Sequence, residues 1–128
     1  MNLKDTITIA ANGERIVLFH KSPNNFQEYI CPEDVTPDLL SNINGNVLVL
    51  GHTHIPFIMD YGTRGRVVNP GSVGQPRDGN PDASFAVLDT VTRKIEHKRT
   101  KYDVEKVIQD MLAAHLPEAL AYRLRSGH

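Results

Sequence analysis

The sequence predicts a mixed α/β (α+β) protein, and three observations carry that reading. Apolar residues in the first two-thirds come in short β-branched runs broken by Gly, Pro and Asn. One of these runs, Val47-Leu48-Val49-Leu50, is continuous, as in strands covered on both faces. The last quarter instead carries an apolar stripe of helical period.

The elements follow in chain order. Ile7 to Ala11 and Arg15 to Phe19 flank Asn12-Gly13, the strongest short-range signal for a β-hairpin. A polar, proline-bearing stretch runs from Lys21 to Glu33, after which Thr36 can cap and Pro37 can open a short helix ending before Asn44-Gly45. Val47 to Leu50 stops at Gly51-His52-Thr53-His54. Phe57 to Tyr61 and Arg66 to Asn69 form a second hairpin around Gly62 to Gly65, and Asn69 to Pro81 is a surface loop of the kind that carries function. Ser84 to Leu88 and Lys94 to Tyr102 are two further strands. Asp103 caps a helix whose Val104, Val107, Ile108, Met111 and Leu112 fall on one stripe, and Pro117 opens a last helix through Leu124, ended by Gly127.

The chain has 128 residues, fitting one domain over 1–128, and 40% hydrophobic against 23% charged residues places it among soluble globular proteins. A net charge of −1, with no run of Lys or Arg, gives no nucleic-acid-binding patch. The single cysteine, Cys31, excludes a disulfide framework, suits a cytoplasmic setting and is expected to be a small apolar filler. Neither a membrane span nor a signal peptide is expected, since the longest apolar run is Val47 to Leu50.

Three of the six histidines end predicted strands: His20 after Phe19, and His52 and His54 after Leu50. Ligands collect outside the carboxyl ends of strands in α/β architectures, and imidazole is the commonest metal ligand, so these three form a candidate metal site. If the segment is extended, His52 and His54 point to the same face, and Gly51 permits close approach of the backbone. One ion can take both rings, or two neighbouring ions one each. In the Asn69 to Asp78 loop, the backbone N–H groups of Gly71 and Gly74 can face an anion and Arg77 offers a planar fork for phosphate. His97, on a polar strand, His115, at a helix break, and the terminal His128 are expected to play no part.

His20-Lys21-Ser22-Pro23, Gly51-His52-Thr53-His54, the run Asn69-Pro70-Gly71-Ser72-Val73-Gly74-Gln75-Pro76-Arg77-Asp78, and Ala83 to Asp89 resemble the C-terminal half of the calcineurin-like metallophosphoesterases, in the branch of small bacterial and archaeal phosphodiesterases. The resemblance implies the C-terminal half of a four-layer α/β/β/α sandwich, contributing one mainly antiparallel or mixed sheet with covering helices. It also implies a dinuclear centre of Mn, Fe, Ni, Co or Zn, whose activated hydroxide hydrolyses a phosphate ester. On this resemblance His20 and His52 bind the second metal, His54 binds the first, and the loop of Gly71, Ser72 and Arg77 walls the substrate cleft.

The family's N-terminal half supplies Asp-x-His, Gly-Asp-x-x-Asp and Gly-Asn-His-Asp/Glu motifs, and none occurs in these residues. Three neutral imidazoles cannot replace a bridging carboxylate between two dications. The available acids Asp34, Asp60, Asp78 and Asp82 match no family ligand. The chain is therefore expected to be inactive alone, with an uncovered apolar sheet face that seeks a complementary N-terminal half or a homo-oligomer. The alternative is a non-catalytic remnant or interaction module. Lys21 stands where the family usually has Gly, which is costly only if that position needs a positive φ.

Overall fold

In the computed structural model, residues 6–24 and 28–128 are described; the middle of the polar stretch from Lys21 to Glu33 lies outside them. The first hairpin is β1 (Thr6–Ala11) and β2 (Glu14–Phe19), joined by Asn12 and Gly13, both with positive φ as a tight hairpin turn requires. β3 (Val47–Leu50), β4 (Phe57–Asp60) and β5 (Arg66–Asn69) complete a five-stranded sheet of order β1-β2-β3-β5-β4. The sheet is mixed, because β2, β3 and β5 run parallel while β1 and β4 pair antiparallel at its edges.

Strand register sorts the side chains onto two faces. Phe19, Leu48, Leu50, Phe57, Met59 and Val67 share one face, where they pack with Ile30, Leu39 and Leu40 to form the main core. The cover on this side is 3-10 turns over Pro32–Asp34 and Pro37–Asn42, not the helices expected. Successive prolines and short polar residues leave too few apolar positions at i, i+3 and i+4 to extend an α-helix there.

Ile7, Ile9, Ile16, Leu18, Val47 and Val49 share the opposite face. A separate hairpin of β6 (Ala83–Leu88) and β7 (Ile95–Thr100) crosses part of it and encloses a cavity of about 230 Å³ lined by Leu18, Val49, Val68, Ala86 and Leu88 among others. Ile7 and Ile9 stay 52% and 48% exposed, so the hairpin leaves the β1 side of this face open to solvent.

The hairpin is held at both ends. At one end Glu14, fully buried, pairs with Arg66 and with Arg93 at 3.0 Å, and Asn46 adds a hydrogen bond at 3.2 Å. At the other, His97 Nε2 donates to Asn69 O at 2.9 Å and Ser84 Oγ donates to Pro70 O at 2.8 Å. His97 therefore ties the two sheets together and is not the idle surface residue its polar neighbours suggested.

α1 (Val104–Ala113) opens on the expected cap, with Asp103 Oδ1 accepting from the Lys106 N–H at 2.9 Å. α2 (Glu118–Tyr122) continues into a 3-10 turn, and Ile108, Ala121 and Leu124 make a second, smaller core. The helices pack chiefly on each other and do not blanket the main sheet. Among the described residues no helix is long and apolar enough to cross a membrane.

Candidate metal centre at the strand ends

Three parallel strands deliver their carboxyl ends to one edge of the sheet: β2 ends at His20, β3 at Gly51-His52-Thr53-His54, and β5 at Asn69-Pro70. Phe19 pairs with Leu50, and the Gly51 N–H then donates to His20 O at 3.2 Å, which sets the first two ends side by side. A Cβ on Gly51 would stand 3.3 Å from that oxygen and 3.5 Å from His20 Nδ1, so the close approach expected of this glycine is real. The His20 and His52 rings lie edge to face, with centroids 5.2 Å apart.

The Gly51-to-His54 segment is not extended as expected. His52 and His54 both adopt positive φ, 67° and 62°, a conformation uncommon for side-chain-bearing residues and concentrated at functional sites. The orientation of each ring is set by the loop and not by strand alternation. Asn69, fully buried, holds the loop in this shape: its Nδ2 donates to Gly51 O at 3.0 Å and to Thr53 Oγ1 at 2.9 Å, while its Oδ1 accepts from the Gly71 N–H at 2.9 Å. Sequence reading placed Asn69 at the end of a strand and the start of the loop, and gave its side chain no role of its own. Its position at the end of a third strand, beside two strands ending in histidine, was the available signal.

The histidines have usable ring nitrogens. His54 Nδ1 is 2.7 Å from Gln75 O, which can only accept, so Nδ1 donates there and Nε2 is the ring nitrogen left for a metal. This is the backbone carbonyl contact that commonly orients a metal-binding imidazole. His52 Nε2 is buried and has no hydrogen-bond partner among the described residues. Partial burial, then the nearby Lys21, His20, His54 and Arg77 charges, pushes the His52 imidazole below its ordinary value, so it is neutral at neutral pH. Unprotonated nitrogens of this kind fit divalent transition ions. Among the described residues, however, no three His, Cys, Asp or Glu side chains gather closely enough to hold a single ion. His20 and His52 are neighbours, whereas His54 turns toward Gln75.

The loop residues divide. The Gly71 N–H donates to Asn69 Oδ1, and a Cβ there would come 2.7 Å from Ser84 Oγ, so close packing by itself calls for a glycine at this position. Ser72 Oγ accepts from the Gln75 N–H at 3.0 Å and the Gly74 N–H at 3.4 Å, closing a turn in which these N–H groups also face inward. Arg77 is exposed, with Nη2 donating to Gln75 Oε1 at 3.1 Å, while its N–H ties back to His54 O at 3.3 Å. Lys21, for its part, does not have a positive φ, so the backbone cost attached to replacing a glycine there does not arise.

Residues 1–93 match the model of the calcineurin-like phosphoesterase superfamily domain. An uncharacterized protein of Methanocaldococcus jannaschii is 34% identical over 90% of this chain and 53% of its own length. The Escherichia coli phosphodiesterase YfcE is 48% identical over 41% of this chain and 28% of its own length. Among solved structures, a metallophosphoesterase from Sphaerobacter thermophilus has a TM-score of 0.84 at 26% identity, over 98% of this chain and 60% of that one. A hypothetical protein from Pyrococcus horikoshii has a TM-score of 0.83 at 26% identity, over 99% and 52%. This chain thus spans about half the length of the M. jannaschii relative and of the two solved structures. With the family model covering most of the chain and the fold matched nearly end to end, the chain belongs to the calcineurin-like phosphoesterase superfamily.

Proposed function

We propose that this chain supplies the histidine side of a dinuclear phosphoesterase centre, with His20 and His52 for one divalent ion and His54 for its neighbour. The observation that carries this reading is the delivery of all three residues to one sheet edge by parallel strands, with His20 against His52 and His54 held apart by Gln75. Mn, Fe, Ni, Co or Zn suits such imidazoles. When bound, two such ions supply an activated water at neutral pH and Lewis acidity toward a phosphoryl group. The protein's own part is to fix the rings: Asn69 holds the loop, Gln75 sets the His54 tautomer, and exposed Arg77 can meet an ester oxygen.

Hydrolysis of a phosphomonoester or phosphodiester on this reading requires acidic ligands beyond those that the described residues bring to the histidines. Three neutral rings leave two dications uncompensated, and the described residues bring no carboxylate into the group. The open apolar face points the same way. Ile7 and Ile9 are about half exposed beside the cavity under β6 and β7, and the matched relatives are nearly twice as long as this chain. The occupant proposed for this face is a polypeptide carrying the other half of the family fold, and a second copy of this chain is the competing outcome.

Thermal unfolding with and without Zn²⁺ or Mn²⁺, followed by hydrolysis of bis(p-nitrophenyl) phosphate, tests the proposal. Metal should raise the midpoint of the wild-type chain and raise it less for His52→Ala and His54→Ala, because a ligand that binds only the folded state stabilises it. Turnover should appear only when the complementary polypeptide is added. Turnover by the chain alone that is abolished in His54→Ala would overturn the incompleteness and keep the phosphoesterase. Metal binding without turnover in the completed protein would leave a non-catalytic interaction module.

A further inference from the structure

We infer that Tyr29, with Lys21 beside it, forms a subsite for a planar aromatic group carried by the phosphate ester. This rests on the phosphoesterase reading of the strand-end histidines and extends it to a substrate class. The Tyr29 ring packs against His52, with centroids 4.0 Å apart and planes tilted by 41°. It is nevertheless 56% exposed, so much of the ring faces water directly over a residue assigned to the metal centre.

The ring is anchored on both chain sides. Ser22, almost fully buried, donates from Oγ to Glu28 Oε2 at 2.6 Å, and Ile30 inserts into the main core. These contacts fix the residues immediately before and after Tyr29, so the exposed ring does not pay the full ordering cost when a ligand arrives. A half-exposed aromatic ring with one side supported is a stacking platform, and such platforms accept any planar π system.

Lys21 adds the charge. Its Nζ lies 6.0 Å from the Tyr29 ring centroid, and among the described residues it forms no ion pair. An ammonium next to a platform, both at the edge of a phosphoryl site, matches a ligand that joins an anion to a flat ring. A phenyl ester and a nucleotide share that chemistry.

Isothermal titration of the full chain in the presence of Zn²⁺ with phenylphosphonate, cyclohexylphosphonate and methylphosphonate tests the subsite without turnover. Phenylphosphonate should bind roughly three- to tenfold tighter than the cyclohexyl compound, the gain expected of ring stacking. Tyr29→Phe should keep that preference and Tyr29→Leu should abolish it. Lys21→Gln should weaken all three ligands alike. A parallel comparison of adenosine 5′-monophosphate with ribose 5-phosphate distinguishes the sources: a Tyr29-dependent gain there assigns a nucleobase, and a gain confined to phenylphosphonate assigns an aryl ester. Metal-dependent methylphosphonate binding with no aromatic preference, or a preference that survives Tyr29→Leu, overturns the subsite and leaves the phosphoesterase reading intact. Failure of every phosphonate to bind in the presence of Zn²⁺ overturns the subsite, and that failure together with no metal-induced rise in the unfolding midpoint overturns both.

Discussion

Asn69 Nδ2 donates to Thr53 Oγ1 at 2.9 Å, joining the end of β5 to the loop that carries both His52 and His54. The same amide group reaches Gly51 O and its oxygen holds the Gly71 N–H, so one buried side chain satisfies three loop groups. Asn69→Ala leaves those groups short of partners in a place water does not reach, and it should cost about 3 kcal/mol. Asn69→Asp keeps the acceptor for Gly71 and loses both donors, so its damage should concentrate at Gly51 to His54. Urea denaturation measures the first effect, and ring-proton chemical shifts of His52 and His54 report the second. Unchanged shifts in Asn69→Asp would show that the loop holds its shape without this residue.

Glu14 is the other buried polar anchor. Its carboxylate has no exposed surface and pairs with Arg66 on β5, two strands away from its own β2, and with Arg93 on the turn between β6 and β7. Removing one member of a buried ion pair strands its partners, so Glu14→Ala should destabilise the chain by about 3–5 kcal/mol. Arg93→Ala should cost much less, because the Arg93 side chain is largely exposed and Arg66 still neutralises Glu14. Equal losses in the two variants, read from chemical denaturation, would contradict this division.

Features set by neighbouring residues were legible in the sequence. Asn12-Gly13 identified its hairpin, Asp103 its helix cap and Val47 to Leu50 its buried strand, because each depends on local turn chemistry, capping or a single apolar run. The histidines were legible as candidates for the same reason, since ending a strand is a local property. Their setting was not. Glu14 meets Arg66 across 52 positions, His97 reaches Asn69 across 28, and Tyr29 meets His52 across the main sheet's end. Nothing in the local pattern around any of these residues names its partner. The left-handed backbone of His52 and His54 was hidden likewise, because the Asn69 contacts that hold this loop come from the end of another strand.

Glu96 gives the clearest pH dependence. On β7 it is flanked two residues away on each side by Lys94 and Lys98, whose ammonium groups bond its carboxylate, Lys98 at 2.8 Å. These contacts, Lys94 first, hold the Glu96 carboxyl down at about 2. A carboxyl lowered in the folded state stabilises the fold above its unfolded value, near 4.5, and that contribution fades as pH falls from there toward 2. Glu96→Gln should therefore be slightly less stable than wild type at pH 7 and match it near pH 2. The difference should be small and shrink with added salt, since the cluster lies at the surface. Carboxyl-carbon NMR across that range checks the titration directly.

Gly71 and Gly74 lie three residues apart in one loop and should respond unequally to the same substitution. Gly71 has φ +81°, and an added Cβ would meet Ser84 Oγ at 2.7 Å, beside the hydroxyl that anchors β6 to Pro70 O. Alanine there imposes both a left-handed backbone and a clash with a buried side chain, so Gly71→Ala should destabilise by about 2 kcal/mol or more. At Gly74 φ is not positive and nothing lies within 4 Å of the Cβ position, so Gly74→Ala should stay within about 0.5 kcal/mol of wild type. Denaturation midpoints of the two variants measure this contrast. Because the Gly71 N–H already bonds Asn69, methylphosphonate affinity should follow the folded fraction of Gly71→Ala; a specific loss of affinity in folded protein would instead place that N–H on the anion.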